Sequence, residues 1–271
     1  MAQHHRRAYR GVVTLNPIPI TLIGGPTVLF EFAGLTLLTD PTFDPPGEYT
    51  TGLRSRHKLS GPSISATDLP AIDAVLLTHD THIDNLDHAG RELLGTVPLT
   101  FSTPAAQANI ESVRGLAPWQ HVTLTSRSGE DVRLTAVPAL HGPREVEHIL
   151  GDVTGFVLEA ERWPSIYVSG DNASVDLVAE IAERFPLIRV AIIFMGAARV
   201  PAVSSEILTL DASGAVEAAR LLTRATIVPV HAEGWSHYSE PREAIAPTFS
   251  AAGLEQRLEL LPVGELVTIA R

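Results

Sequence analysis

Cysteine occurs at none of the 271 positions. Its absence excludes disulfides, thiolate metal sites and cysteine nucleophiles together. No run approaches the roughly 18 apolar residues of a membrane-spanning helix. The basic start Met1–Arg10 is followed by Asn16 and Pro17 before any apolar stretch of signal-peptide length can form. The expectation is therefore a cytoplasmic protein without a secretory leader or a membrane span. Positive charge is scarce: the formal net charge is −11, and the basic residues cluster only in the short Arg6–Arg10 and Arg54–Lys58 stretches. Most of such a surface repels a phosphate backbone, which argues against nucleic acid as a partner. There is no Gly-x-Ser-x-Gly, no short-period repeat and no clear linker. What remains, with 45% hydrophobic residues, is a globular chain with ample core material. It reads as one domain over residues 1–271, with residues 1–10, including His4 and His5, disordered or peripheral.

The first third alternates short β-type runs with turns. Ile18–Ile23, Thr27–Phe32 and Leu35–Thr39 are separated by Gly24-Gly25-Pro26 and Ala33-Gly34. Residues 40–70 are rich in Pro, Gly, Ser and Thr and read as a long loop of the functional kind. Ala74–Thr78 and Pro98–Ser102 read as strands, Gly90–Leu94 and Pro104–Val113 as helices. His121–Thr125, Val132–Val137, Gly155–Glu159 and Ile166–Ser169 are further strands. Helical spacing of apolar residues marks Ser174–Phe185 and Ser213–Leu222. The solid apolar runs Val190–Met195 and Thr226–Val230 have the pattern of strands covered on both faces. Strands first and β-α-β units later predict an α/β fold, with helices packed outside stacked sheets.

Four of these strands run into a metal-type residue: His79, His141, Asp171 and His231. In layered α/β folds, catalytic groups gather at the carboxyl ends of strands, where loops diverge and a crevice opens. A single such histidine is ordinarily structural, but four ends of the same kind converge on one chemistry. The densest segment, Thr78–Gly90, places His79, His82, His88, Asp80, Asp84 and Asp87 within ten residues. Read blandly it is a polar helix start, with Asp84 as N-terminal cap and Asp87 favouring the helix dipole. That leaves the histidines unexplained. Clustered acids raise one another's pKa unless a cation neutralises them, and imidazole with carboxylate suits zinc, manganese or iron.

The segment resembles the histidine–aspartate signature of the metallo-β-lactamase superfamily, whose usual form is His-x-His-x-Asp-His after an apolar strand. His141-Gly142, Gly170-Asp171 and Pro229-Val230-His231 resemble the later motifs of that family, and Leu37-Leu38-Thr39-Asp40-Pro41 its first, in which the aspartate supports the site. Leu-Thr-His-Asp followed by Asp-x-Leu-Asp is most similar to the branch of ascorbate-phosphate lactonase and N-acyl-phosphatidylethanolamine phospholipase D. The stretch Leu208–Leu222, leading to Val228–His231, looks like that branch too. The resemblance spans about residues 20–235 and implies a four-layer αββα sandwich with the metals at one edge between the sheets. It also implies one cation on His79, His82 and His141 and a second on Asp84, Asp171 and His231, with Asp171 bridging. A metal-bound hydroxide would then attack a small ester, lactone or phosphodiester, with Asp84 orienting it. The branch implies a homodimer or larger ring.

The sequence departs from the family in its spacing, His79-x-x-His82-x-Asp84-Asn85. Asn85 stands where a second-site histidine is usual, so the count is one or two metals. His88 follows Asp84 by four residues and replaces the missing ligand, stands behind it or lies at the surface; Asp87 is a candidate for a ligand or for the place behind one. The loop His231–Tyr238 follows a ligand strand and offers His237 as proton donor and Trp235 as substrate wall. Arg199 is a candidate for a substrate phosphate or carboxylate, or for a surface salt bridge. Arg54, Arg56, His57 and Lys58 either recognise an anionic group or are solvated. The rival functions are a non-catalytic metal-binding scaffold or sensor, an amide or β-lactam hydrolase, and, more remotely, an oxygen-using diiron protein.

Overall fold

The computed structural model describes residues 15–51 and 54–270; residues 1–10, with His4 and His5, lie outside them. The chain opens as an antiparallel meander. Strands β1 (Ile18–Gly24), β2 (Thr27–Phe32) and β3 (Leu35–Thr39) turn at Gly24-Gly25 and Ala33-Gly34. Both glycine turns use positive φ, 56° at Gly25 and 78° at Gly34, where a Cβ is disfavoured. The expected loop is partly ordered as a hairpin, β4 (Gly47–Thr51) and β5 (Arg54–Lys58). Its residues are polar on both faces, so no alternation announced it. Next come β6 (Ala74–Leu76), helix α1 (His88–Leu94), β7 (Thr100–Ser102), helix α2 (Pro104–Asn109) and β8 (Val113–Gly115). Helix α2 ends four residues short of the predicted Val113, because Ile110 turns extended and Val113 joins β7 in parallel.

The second half contains β9 (His121–Thr125), β10 (Asp131–Pro138), the single turn α3 (Glu147–Leu150), β11 (Thr154–Glu159) and β12 (Ser165–Val168). Helix α4 (Val175–Arg184), β13 (Ile188–Phe194), α5 (Ala212–Leu221) and β14 (Thr226–Val230) complete the β-α-β units. Helix α6 (Ile245–Ala251) and β15 (Leu266–Ile269) follow, and β15 pairs antiparallel with β1. Beside the two-stranded β4-β5 sheet, two large sheets result, ordered β15-β1-β2-β3-β6-β7-β8 and β14-β13-β12-β11-β10-β9.

Strand periodicity divides the apolar residues between layers. In β13, Val190, Ile192 and Phe194 face the other sheet and share a core with its Phe30 and Leu37 and with Phe156 of their own sheet. Ala191 and Ile193 face outward onto α4, α5 and α6 through Val178, Ile181, Ala215 and Phe249. On the first sheet, Leu38 and Val75 face outward onto α1 and α2 through Leu94 and Ala106. The molecule is the expected αββα sandwich. Among the described residues no helix is long and apolar enough to cross a membrane.

This topology sets the direction of the ligand strands. β3 and β6 run parallel, and β10, β12, β13 and β14 share one direction within the second sheet. Helix α1 is seated hard against the same edge. A Cβ on Gly90 would lie 1.8 Å from the Pro41 carbonyl oxygen, so only glycine fits. Gly90→Ala must displace the backbone beside Asp40, and overpacking of this kind costs about 1–3 kcal/mol or more. A denaturant midpoint unchanged in that variant would refute the tight seat.

Candidate metal centre

The first cluster is His79, His82, His141 and Asp171, whose donor atoms all lie within 4.8 Å of one another. Its tautomers follow from the hydrogen bonds. Thr78 sends its backbone N–H to Asp40 Oδ1 at 2.6 Å and its hydroxyl to Oδ2 at 2.7 Å. The hydroxyl has one proton and gives it to the carboxylate, so at 3.1 Å it accepts from His79 Nδ1–H. His79 Nε2 therefore carries a lone pair. His141 Nδ1 lies 2.7 Å from the Leu208 carbonyl, which only accepts, so Nδ1 carries a proton and Nε2 is the nitrogen left to face a cation. These two nitrogens lie 2.9 and 3.2 Å from His82 Nδ1, which has at most one proton for the pair. Burial, then the neighbouring His82 and His141, holds His79 well below the usual histidine pKa, which keeps its ring neutral. Imidazole nitrogens converging on one point, with the far nitrogens of two rings tied up behind them, are a cation's coordination set.

The second cluster is Asp84, Asp171 and His231. His231 follows β14 directly in a left-handed conformation, φ 57°. Its Nε2 lies 3.3 Å from Asp84 Oδ2 and 3.4 Å from Asp171 Oδ1, without hydrogen-bonding alignment to either. Asp171 faces both clusters, because its Oδ2 lies 3.4 Å from His141 Nε2. Burial would raise the Asp84 carboxyl, but His237 and His231 hold it well below the carboxylate range. The buried nitrogens of His231 and the buried Asn85 Oδ1 have no hydrogen-bond partner. Orphaned buried acceptors are costly unless something absent from the protein itself satisfies them. The donor set, imidazole and carboxylate without sulfur, fits a divalent metal.

Residues 36–232 match the family model of the beta-lactamase superfamily domain. The chain belongs to the metallo-β-lactamase superfamily. A UPF0173 metal-dependent hydrolase of Myxococcus xanthus is 27% identical over 170 residues, 59% of this chain and 56% of that relative, so the likeness spans little more than half of the relative's length. Among solved structures, the isothiocyanate hydrolase from Delia radicum gut bacteria superposes with a TM-score of 0.76 at 24% identity, covering 93% of this chain and 99% of the other. A possible metal-dependent hydrolase from Veillonella parvula gives 0.75 at 21%, covering 94% and 100%. At these identities the two structures establish the fold of the superfamily.

Within this superfamily fold, several predicted residues lie elsewhere. Asp87, not Asp84, caps α1, accepting from Gly90 N at 2.8 Å, and it is salt-bridged to buried Lys58 at 2.9 Å. The helix thus begins at His88, so Asp84 and His88 share no helical face. His88 is exposed and bonded to Asp44 at 2.8 Å, outside both clusters. Trp235 is 2% exposed. It packs against Tyr49 and under Lys58 and is no wall of the cavity over the clusters. Arg199 is exposed and turns to the Ser205 carbonyl. Asn85 and Asp40 do stand beside the clusters: Asn85 Nδ2 bridges Asp40 Oδ2 at 3.1 Å and Asp171 Oδ1 at 3.2 Å. His237 Nε2 lies 2.9 Å from Asp84 Oδ2.

The sequence reading missed Tyr238, whose hydroxyl is 3.4 Å from Asp84 Oδ2 and whose ring lies 4.3 Å from that of His231. It stood in the quoted loop, but nothing marked its side as inward. Also missed was the apolar wall of the cavity, Leu150, Ala198, Val200 and Leu208.

Proposed function

We propose that the chain is a metal-dependent hydrolase of a small ester, lactone or phosphodiester, working in the cytoplasm as one domain. The observation that supports this most is the sharing of Asp171 by two buried donor clusters. His79, His82 and His141 with Asp171 would hold one divalent cation, and Asp84 and His231 with Asp171 a second, zinc being the first choice and manganese or iron the alternatives. Such a pair supplies Lewis acidity and a water that is acidic near neutral pH. Asp40 and Thr78 fix the ring of His79, and Leu208 fixes that of His141. Asp84 holds His237 at the cavity, where His237 serves as the proton donor to the leaving group. Tyr238 keeps its proton, because burial and then the Asp84 charge push its pKa well above the usual value, and so it stays a neutral donor beside Asp84.

The test counts metal per chain by mass spectrometry and assays the same preparation on esters, lactones and phosphodiesters. Two metals with turnover abolished by chelation and restored by zinc is the expected result. Turnover by metal-free protein would refute the mechanism. Metal without turnover of any substrate would favour the scaffold reading, for which Asn85 in place of a histidine is the supporting feature. A second prediction concerns the proton donor. His237→Ala should keep its metal and lose kcat by about 10²–10⁴, the range for a positioned general acid; an unchanged kcat would remove His237 from the chemistry.

A further inference from the structure

The cavity over the donor clusters is chemically lopsided. Its floor is His82, Asp84, His141 and Asp171, and one side is the apolar wall of Leu150, Ala198, Val200 and Leu208. The single lysine or arginine among its lining residues is Arg56, from β5. Among the described residues no carboxylate lies within 4.0 Å of its guanidinium. Its one side-chain hydrogen bond there is a long one, 3.3 Å to the carbonyl of its neighbour Ser55. An unpaired arginine beside a catalytic cavity, in a chain of net charge −11, calls for an explanation.

The strand that carries Arg56 is fastened rather than loose. Side chains two apart on a strand share a face, and Lys58, two along, turns inward to Asp87 with both groups buried. His57 and Ser55 lie on the opposite, exposed face. Beyond the hairpin, Leu59 N donates to the Gly234 carbonyl at 2.7 Å, and Ser236 N donates to that of His57 at 3.0 Å. The hairpin is therefore tied to the loop that bears His231 and His237, and Arg56 is presented to the cavity by a fixed support.

Resting on the hydrolase reading above, we propose that Arg56 binds an oxyanion of the substrate. The substrate is then a small acyl or phosphoryl compound with an apolar body against the Leu150–Leu208 wall and a carboxylate or phosphate remote from the bond that breaks. The guanidinium presents a planar fork that matches either anion with two hydrogen bonds. The floor carboxylates are committed to cations, and the apolar wall offers an anion nothing. His237, the remaining lining side chain, is held by Asp84, which leaves Arg56 as the lysine or arginine that can select for charge.

The experiment compares p-nitrophenyl pentanoate with the mono-p-nitrophenyl ester of glutaric acid, on zinc-loaded wild type, Arg56→Gln and Arg56→Lys. Wild type should prefer the anionic ester in kcat/KM. Arg56→Gln should shrink that preference by about 10- to 100-fold, chiefly through KM, and Arg56→Lys by less, with zinc content retained in both. An unaltered preference overturns the proposal, as does equal loss on both esters or loss of zinc, which would make Arg56 structural. If wild type turns over neither ester, the hydrolase reading is what has failed, and calorimetric titration of the zinc-loaded proteins decides Arg56 separately. Glutarate should then bind wild type more tightly than pentanoate, and Arg56→Gln should erase the difference; equal affinities in wild type overturn the proposal. Titration with 4-phosphonobutanoate beside glutarate tells a phosphate-bearing substrate from a carboxylate-bearing one.

Discussion

Replacing Asp171 by alanine should empty both halves of the centre at once. Oδ2 of this carboxylate faces His141 and its Oδ1 faces His231, at 3.4 Å in each case, and among the described residues it is the one side chain that both clusters share. Metal content should fall from two per chain to below one. Hydrolysis should fall by about 10³-fold or more, a loss of at least about 4 kcal/mol of transition-state stabilisation. Asp84→Ala removes a ligand from one cluster only and should retain one metal. Stability separates loss of metal from loss of fold. Without metal, Asp171→Ala should still unfold cooperatively, with a midpoint near that of metal-free wild type, because the lost hydrogen bond from Asn85 is offset by removing an acid that raises the Asp40 pKa. With metal, wild type alone should gain, by about 4 kcal/mol at a thousandfold excess over Kd. If the variant retained two metals, the two clusters would not depend on a shared ligand.

The architecture was legible where burial is uniform. Val190–Met195 and Ile227–Val230 are apolar throughout because sheet and helix cover both faces, and an unbroken apolar run signals that directly. The meander was legible through its turn glycines. Edge elements were not. In β15, Leu266 is 71% exposed, so its alternation carries no apolar signal, and its pairing with β1 joins chain ends that no local pattern relates. The hairpin β4–β5 was hidden for a related reason: it packs on a loop through Lys58 and Tyr49 instead of burying an apolar face.

At the centre, residue type was legible and direction was not. His79, His82, Asp84, His141, Asp171 and His231 announce themselves as donors following strands, and the fold brings them together. Trp235, Arg199 and His88 belong to equally suggestive types, yet their side chains leave the cavity. The difference lies in backbone turns. His231 and Asp40 adopt positive φ, 57° and 24°, without glycine to mark them. The helix at His88 starts one residue after its cap, which rotates His88 away from Asp84. Such strain is tolerated where surrounding hydrogen bonds enforce it, and those bonds come from residues distant in sequence, such as Gly25 to His231 and Asp40 to Thr78.

The last of these bonds gives the sharpest single-atom prediction. The ionised Asp40 carboxylate receives three donors, from Thr78 N, Thr78 Oγ1 and Asn85 Nδ2, and has no proton to donate. Asp40→Asn keeps the shape but brings two protons of its own. With its oxygen kept on Thr78 N, its amide nitrogen takes the place of Oδ2, donates to Thr78 Oγ1 and obliges the Asn85 amide to turn its oxygen toward it. The Thr78 hydroxyl then turns its proton to His79 Nδ1, and the His79 proton moves to Nε2, the atom that faces the metal. The variant should lose about 10- to 100-fold in metal affinity, the range for partners that orient ligands, and nitrogen NMR of the metal-free proteins above about pH 7, where Asp40 is ionised, should show His79 as the Nδ1–H tautomer in wild type and the Nε2–H tautomer in the variant. An unaltered tautomer would break the chain from Asp40 to His79. The pH dependence carries the same logic. Burial pushes the Asp40 carboxyl up from its ordinary 3.8 to about 7 in the absence of metal, against the hydrogen bonds from Thr78 and Asn85. A carboxyl with a raised folded-state pKa favours the native state while protonated. The metal-free protein should thus hold this contribution below about pH 4 and lose it as pH rises through about 7. The amide introduced by Asp40→Asn cannot ionise, so in the metal-free variant that part of the slope should vanish. Bound cations should flatten it in wild type too, by stabilising the carboxylate that burial alone disfavours.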